Sequence, residues 1–338
     1  MRHPAVTIGI LNYNGGRLVE ECVRSALSQD YDPVTVVVVD NGSTDESAER
    51  LARSFPEVEL VSFPDNLGPP AVRNWIIRNA STPLVFCMDN DVVLAPDCVT
   101  RLIRSMTAQK KVAVCGPRVM DYDRRDRVQL GITYIHYTAA VVVRRVSVPG
   151  PVEAGSVGGG AILIDRSIAL RTGMYDEDYF FGLEDNDFCT QLRLAGYRCL
   201  HVPDARIYHQ AKNRGLWAAV YQIRNRWFFL LKFYRLRTLL VFSPALLIYE
   251  LSTLLFLVFK RRLKDYILAL SDLNKHLAAT LRKRKGIQAH RVLADRHLVV
   301  SGEMYLRPEM MVHRHIRWAR RLQSCFFGLY WKLARRLI

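Results

Sequence analysis

The first half of the chain alternates short, unbroken apolar runs with stretches whose apolar residues recur every three or four positions. Ala5–Leu11, Thr35–Val39, Val58–Val61, Leu84–Met88 and Val112–Cys115 are the apolar runs. Several are dense in β-branched residues, and all are predicted as strands. Between them, Leu18–Ser28, Asp45–Arg53, Ala71–Asn79 and Pro96–Thr107 are predicted as helices. Leu18, Cys22, Val23, Ala26 and Leu27 form one face of the first. Pro69 and Pro70 precede the third, where a fixed φ and a missing N–H suit a helix start. Strands that are apolar throughout are buried on both faces. The pattern therefore predicts an α/β fold with a mostly parallel central sheet and helices on both sides.

In such sheets ligands bind beyond the carboxyl ends of the strands, and here those ends are polar. Asn12-Tyr13-Asn14 follows the first strand, Asp40-Asn41-Gly42-Ser43-Thr44-Asp45 the second, Asp65-Asn66-Leu67-Gly68 the third and Asp89-Asn90-Asp91 the fourth. One such loop is ordinary turn chemistry. Four along one sheet edge point to a site. Neither G-x-G-x-x-G after the first strand nor G-x-x-x-x-G-K occurs, which removes the dinucleotide dehydrogenase and P-loop readings.

Further motifs follow in order: Gly158–Arg166 (GGGAILIDR), Gly182–Arg198 (GLEDNDFCTQLRLAGYR) and Val202–His209 (VPDARIYH). Together with Ile10–Gly15, Val36–Ser47, Asn66–Asn74 and Met88–Asp97, the ordered set resembles the inverting family 2 glycosyltransferases of GT-A fold. The DNGSTD and E-D-x-D…R-x-x-G-Y forms are most similar to the bacterial rhamnosyltransferase-like branch. The likeness covers about residues 6–209. It implies a nucleotide-sugar donor (UDP-, dTDP- or GDP-linked) and a lipid-linked or cell-envelope glycan acceptor. It also implies a divalent cation, Mg²⁺ or Mn²⁺, which suits oxygen ligands and neutralises a departing diphosphate. By resemblance, Asp91 and His209 hold the metal, and Asp89 meets the nucleotide or the metal. Asn12, Asp40 and Asn41 form the nucleoside corner. Asp185 is the general base of a single displacement, with Glu184 and Asp187 positioning the base or the acceptor. Gly158-Gly159-Gly160 gives backbone access beside the acceptor. Arg73, in a helix-borne Arg-Asn pair, approaches the diphosphate or is a solvated helix charge. The acids at 184, 185 and 187 also suit the start of a helix through Phe188–Ala195.

Composition divides the 338 residues in two. The net charge is +16. Residues 1–209 hold 22 Lys and Arg against 26 Asp and Glu, a net of −4, whereas residues 210–338 hold 26 against 6, a net of +20. We expect a catalytic domain over 1–212 and a basic helical membrane-associating or docking region over 213–338. Leu239–Phe259 is 21 residues with one charge, Glu250, long enough to span a bilayer. The basic residues on both sides of it favour an in-plane or re-entrant helix against an anionic inner-membrane surface, on the cytoplasmic face. A buried core helix or a dimer interface is the other reading. Arg224 and Arg226, in a Q-x-x-x-R-W stretch, are candidates for an acceptor or phosphate contact, or for lipid headgroups. Residues 311–338 are expected to form a second basic helix. Seven cysteines, an odd number without C-x-x-C, suit a reducing compartment. The opening residues do not read as a secretory signal. Two other classes stay open: a nucleic-acid-binding protein using the basic region, for which no motif is present and no nucleic acid is expected, and an inactive scaffold of the same fold.

Overall fold

The computed structural model describes residues 4–145, 148–210, 216–305 and 314–338, with side chains from 320 onward in the last stretch. The expected domain boundary at 212/213, the start of the helix expected over 311–338, and the Trp318 side chain lie outside the described residues. The chain divides into two compact units. The first is residues 1–132, 145–192 and 197–214, and the second is 133–144, 193–196 and 215–338. Two short pieces from within the expected catalytic half thus belong to the second unit.

The first unit begins β1 (Val6–Asn12), α1 (Leu18–Leu27), β2 (Val34–Asn41), α2 (Ser47–Ser54), β3 (Glu59–Phe63), α3 (Pro69–Asn79), β4 (Leu84–Asp89), β5 (Val92–Leu94), α4 (Cys98–Thr107) and β6 (Val112–Asp121). Every element expected up to Cys115 is present. The strands run on by up to six residues into the polar positions, because ladder bonds continue past the last apolar side chain. After β7 (Val128–Leu130), β8 (Ile132–His136), β9 (Val141–Arg144) and β10 (Val152–Glu153) come β11 (Ala161–Asp165), α5 (Arg166–Thr172), α6 (Glu184–Leu194) and β12 (Arg198–His209).

The sheet order is β10-β12-β6-β11-β4-β1-β2-β3, with β5 against β12 and β7 against β6. β3, β2, β1 and β4 are parallel. The sheet then turns mixed, because β11 enters antiparallel between β4 and β6. That insertion brings the glycines before β11 to the carboxyl end of β4, beside Asp89, whose N–H donates to the Gly160 carbonyl at 2.8 Å. The core on one side includes Val6, Ile8, Ile10, Val23, Phe86, Leu102 and Leu163, all essentially inaccessible. With the strand interiors sealed by apolar packing, the polar residues are confined to the strand ends.

The second unit holds β8, β9, α7 (Ala219–Phe233), α8 (Leu236–Phe259), α9 (Leu263–Ala289), β13 (Val299–Val300) and α10 (Arg314–Ala334). β8, β9 and β13 form a three-stranded sheet that the expectation of a purely helical region did not include. Its core joins Tyr137, Phe229, Phe233, Tyr234, Phe242 and Phe327. Tyr234 Oη donates to the Tyr137 carbonyl at 3.0 Å, so the buried phenol keeps a partner.

Candidate active site

Three carboxylates and one guanidinium meet at the carboxyl end of the first unit's sheet. Asp89 ends β4. Glu184 and Asp185 open α6, which follows a corner whose backbone is left-handed at Phe180 (φ 54°), Gly182 (φ 85°) and Leu183 (φ 65°). Arg73, on α3, lies among them and is 4% exposed. One terminal nitrogen donates to Asp185 at 2.8 Å and lies 3.7 Å from Glu184, and the other donates to Asp89 at 3.0 Å. Burial works against the Arg73 charge, but Asp185 and Asp89 outweigh it and hold the group firmly protonated. This corrects the reading of Arg73 as a solvated helix charge. It does not face solvent, but is the internal counter-ion that ties Asp89 to Asp185.

Asp185 has two further partners. Tyr175 Oη donates at 3.3 Å, and the Gly159 backbone also hydrogen-bonds its carboxylate. Burial pushes the Tyr175 phenol well above its usual range, with Asp185 adding to the shift, so the hydroxyl remains a donor. The Arg73 guanidinium lies 5.4 Å from the Tyr175 ring centroid. Burial raises the Asp185 carboxyl above its ordinary value against the pull of Arg73. Burial, with the Asp185 charge adding to it, pushes Glu184 up to about 7. Asp185, raised by burial yet held in place by three donors, has the character of a general base. A Cβ at Gly158 would stand 2.1 Å from Asp185 Oδ2, so the space for the base exists only because residue 158 has no side chain.

Asp91 and His209 form a second group. His209 Nε2 lies 3.5 Å from Asp91 Oδ1. Gln129 on β7 fixes the imidazole, because its amide nitrogen donates to the His209 carbonyl at 3.0 Å and its oxygen meets Nδ1 at 2.5 Å. With the amide so oriented, Nδ1 carries the proton and Nε2 turns its lone pair toward the carboxylate. A lone pair and a carboxylate oxygen facing each other at this distance fit a shared cation. Among the described residues no group of three or more His, Cys, Asp or Glu side chains forms a metal site. Two protein ligands suit an ion that completes its shell from phosphate oxygens and water.

The nucleoside corner differs from expectation. Asn12 (0% exposed), Asp40 (3%) and Asn41 (1%) are buried and bonded to one another's loops. Asn12 Nδ2 donates to Asp40 at 2.7 Å, and Asp40 accepts from the Ser43 N–H at 3.0 Å and its hydroxyl at 2.6 Å. Asn41 accepts from the Leu67 N–H at 3.0 Å and donates to Asn66 at 2.9 Å. These three build the corner, and the side chains open to solvent along it are Tyr13, Thr44, Asp65 and Leu67. Asp187 is fully buried and is not placed to touch an acceptor. Gly159 and Gly160 act through the backbone on Asp185 and Asp89, as described. Arg224 and Arg226 are in the second unit and buried in ion pairs, Arg224 with Asp272 and Arg226 with Glu250. Those carboxylates take the role assigned to a phosphate. Gln129, Tyr175 and Gly158 were not singled out as individual site residues from sequence. The only signal for Gly158 was its place in the triple glycine.

Residues 7–168 match the family model described as Glycosyl transferase family 2. Those residues form a family 2 glycosyltransferase domain. This transferase is 26% identical over 234 residues to the N-acetylglucosaminyl-diphospho-decaprenol L-rhamnosyltransferase of Mycobacterium tuberculosis, covering 61% of this chain and 76% of that protein. It is 27% identical over 213 residues to an N-acetylglucosaminyltransferase of Bradyrhizobium diazoefficiens, 60% of this chain and 44% of that one. It is 25% identical over 230 residues to a poly-β-1,6-N-acetyl-D-glucosamine synthase of Staphylococcus aureus, spanning 53% of that protein. Among solved structures, GalNAc-T7 with UDP, GalNAc and Mn²⁺ superposes with a TM-score of 0.62 at 14% identity, over 72% of this chain and 50% of that one. The mannosyltransferase PcManGT of Pyrobaculum calidifontis, with GDP-Man and Mn²⁺, does so with 0.54 at 20% identity, over 99% and 87%. At these identities the likeness is one of fold, and the fold is GT-A.

Proposed function

We propose that this glycosyltransferase is an inverting, divalent-cation-dependent enzyme that moves a sugar from a nucleoside diphosphate to a lipid-linked or cell-envelope glycan acceptor. One observation carries the reading: Asp185 and Asp89 are held by the two ends of one guanidinium, so an acceptor-side base and a donor-side carboxylate share a rigid frame. The mycobacterial relative, named for a diphospho-polyprenol acceptor, supports the acceptor class. The two Mn²⁺-containing fold neighbours, one with UDP and one with GDP-Man, support a metal-assisted nucleotide-sugar donor.

Asp185 takes the proton of the acceptor hydroxyl as that oxygen attacks the anomeric carbon, while the bond to the nucleoside diphosphate breaks on the opposite face. One displacement inverts the centre, and no enzyme-bound sugar forms. Arg73, Tyr175 and the Gly159 backbone hold the attacking-side carboxylate still, which supplies orientation. Asp91 and His209 would hold the cation, which when bound neutralises charge on the diphosphate.

The test is a panel of UDP-, dTDP- and GDP-sugars presented with a polyprenyl-diphosphate-linked acceptor, with product anomeric configuration read by NMR. The reading expects transfer from one donor, inversion, loss on chelation with recovery by Mn²⁺ or Mg²⁺, and loss in Asp185→Asn. Retention of configuration, or full activity in chelator, would overturn the corresponding part.

A further inference from the structure

The α8 helix carries two faces of opposite character along its whole length. Thr238, Phe242, Ala245, Leu246, Glu250 and Leu257 are buried within the second unit. The other face exposes Leu240 (74%), Leu247 (60%), Leu251 (50%), Leu255 (71%) and Phe259 (65%), and no charge interrupts it between Arg237 and Lys260. At 1.5 Å per residue this is an apolar strip on the order of 30 Å long, far more than a water-facing helix ordinarily shows.

The polar atoms on that strip are closed off from within. Pro244 has no N–H, so the Leu240 carbonyl lacks its helical donor, and the Ser243 hydroxyl donates to that carbonyl at 2.8 Å. Ser252 donates to the Ile248 carbonyl at 2.8 Å. In water such closure is dispensable, whereas in hydrocarbon an unsatisfied carbonyl or hydroxyl is costly. Both ends of the strip are positive and exposed, with Arg235 and Arg237 at one and Lys260 and Arg261 at the other. Two copies meeting along this face would bring like charges together at each end. An anionic lipid surface would satisfy both ends at once.

We propose that this face of α8 docks the second unit on an anionic lipid surface, with the helix lying in the plane of the surface rather than crossing it. Length and hydropathy alone also allow a span, but the back of the helix does not. Glu250 accepts from Tyr266 Oη at 2.8 Å and is paired with Arg226, which donates to the Thr138 carbonyl at 3.0 Å. Arg224 and Asp272 form a further pair between α7 and α9. A crossing helix would carry these charges into the bilayer, and an in-plane helix immerses only its apolar face. The proposal goes beyond the transferase reading and is tested without activity, so either can fail alone.

The experiment is co-flotation of the full chain with phosphatidylcholine vesicles, with and without phosphatidylglycerol. The expected result is binding that needs phosphatidylglycerol, weakens with salt and falls on the order of a hundredfold in Leu247→Ser/Leu251→Ser/Leu255→Ser. Arg235→Glu/Arg237→Glu/Lys260→Glu, which leaves the strip intact, should lose the lipid selectivity. Trypsin added outside sealed vesicles should cut at both ends of α8. Three results would overturn the proposal: unchanged binding by the serine variant, protection of one end of α8 from trypsin, or a dimer that dissociates in the serine variant while no vesicle binding is seen.

Discussion

Replacing Arg73 by Met removes the shared counter-ion while leaving most of the side chain's length. Its guanidinium lies 2.8 Å from Asp185, 3.0 Å from Asp89 and 3.7 Å from Glu184, and it is 4% exposed, so water cannot take its place. Breaking a buried pair by removing one partner costs about 3–5 kcal/mol. For a unit of this size that lowers Tm by roughly 10 °C. The cost has a definite pH dependence. Arg73 is the group that holds both Glu184 and Asp185 down against their burial. Without it both carboxyls hold their protons to higher pH. Where they are neutral the missing cation matters little, and where they ionise they repel in a buried cluster. The Tm deficit of Arg73→Met should therefore be small in acid and grow as pH rises through about 7, where Glu184 ionises in the native protein. The acid limb of kcat/KM, which reports the base losing its proton, should move to higher pH. Arg73→Lys keeps one charge without the two-ended fork and should fall between. The assay is thermal unfolding across a pH series alongside a kcat/KM profile in the same buffers. A Tm deficit independent of pH, or an acid limb left in place, would refute the assignment of Arg73 as the counter-ion of the base.

Other predictions follow from single contacts. Gly158→Ala puts a methyl 2.1 Å from Asp185 Oδ2, so kcat should fall on the order of a hundredfold with donor KM little changed, because a misplaced base loses orientation rather than donor binding. Gln129→Leu releases His209 and should weaken activation by Mn²⁺ about 10- to 100-fold in a metal titration, while saturating metal restores most of the rate. Glu184→Gln removes the group raised to about 7, and its kcat/KM profile should extend activity to lower pH. Glu250→Leu strands Arg226 in the second unit and should cost about 3–5 kcal/mol, most of it recovered in Arg226→Met/Glu250→Leu, as chemical unfolding of the pair would report.

What was legible in the sequence is what short-range pattern controls. The strands up to Cys115 could be read because each is an unbroken apolar run, and the strand-end acids could be read because each follows its run directly. Asp89 was therefore placed by its neighbours in sequence, and Asp185, which opens a helix, by the resemblance of its motif. Arg73 was not, because its role is set by a carboxylate 112 residues away, and a lone Arg on a helix carries no sign of a partner at that distance. The antiparallel entry of β11 was hidden for the same reason. A five-residue apolar run states that it is a strand but not which way it runs between its neighbours. Gln129 lies on a three-residue strand, too short to show a period.

Glu250 shows how the same limit acts on the basic half. In sequence it is the one charge in an apolar run, an interruption that leaves spanning, in-plane and buried readings all open. Arg224 and Arg226, read in isolation, are basic groups in search of phosphate. In three dimensions these oddities answer one another: Glu250 pairs with Arg226, and Asp272 with Arg224. Each charge that seemed to face outward is neutralised inside the second unit. What remains facing outward on α8 is mainly leucine and phenylalanine bounded by exposed basic ends, with serine hydroxyls turned back onto the helix. The charge that interrupts the apolar run in the sequence therefore belongs to the buried side of the helix, away from the exposed strip. Among the exposed basic residues of the second unit, those at positions 235, 237, 260 and 261 flank the strip directly.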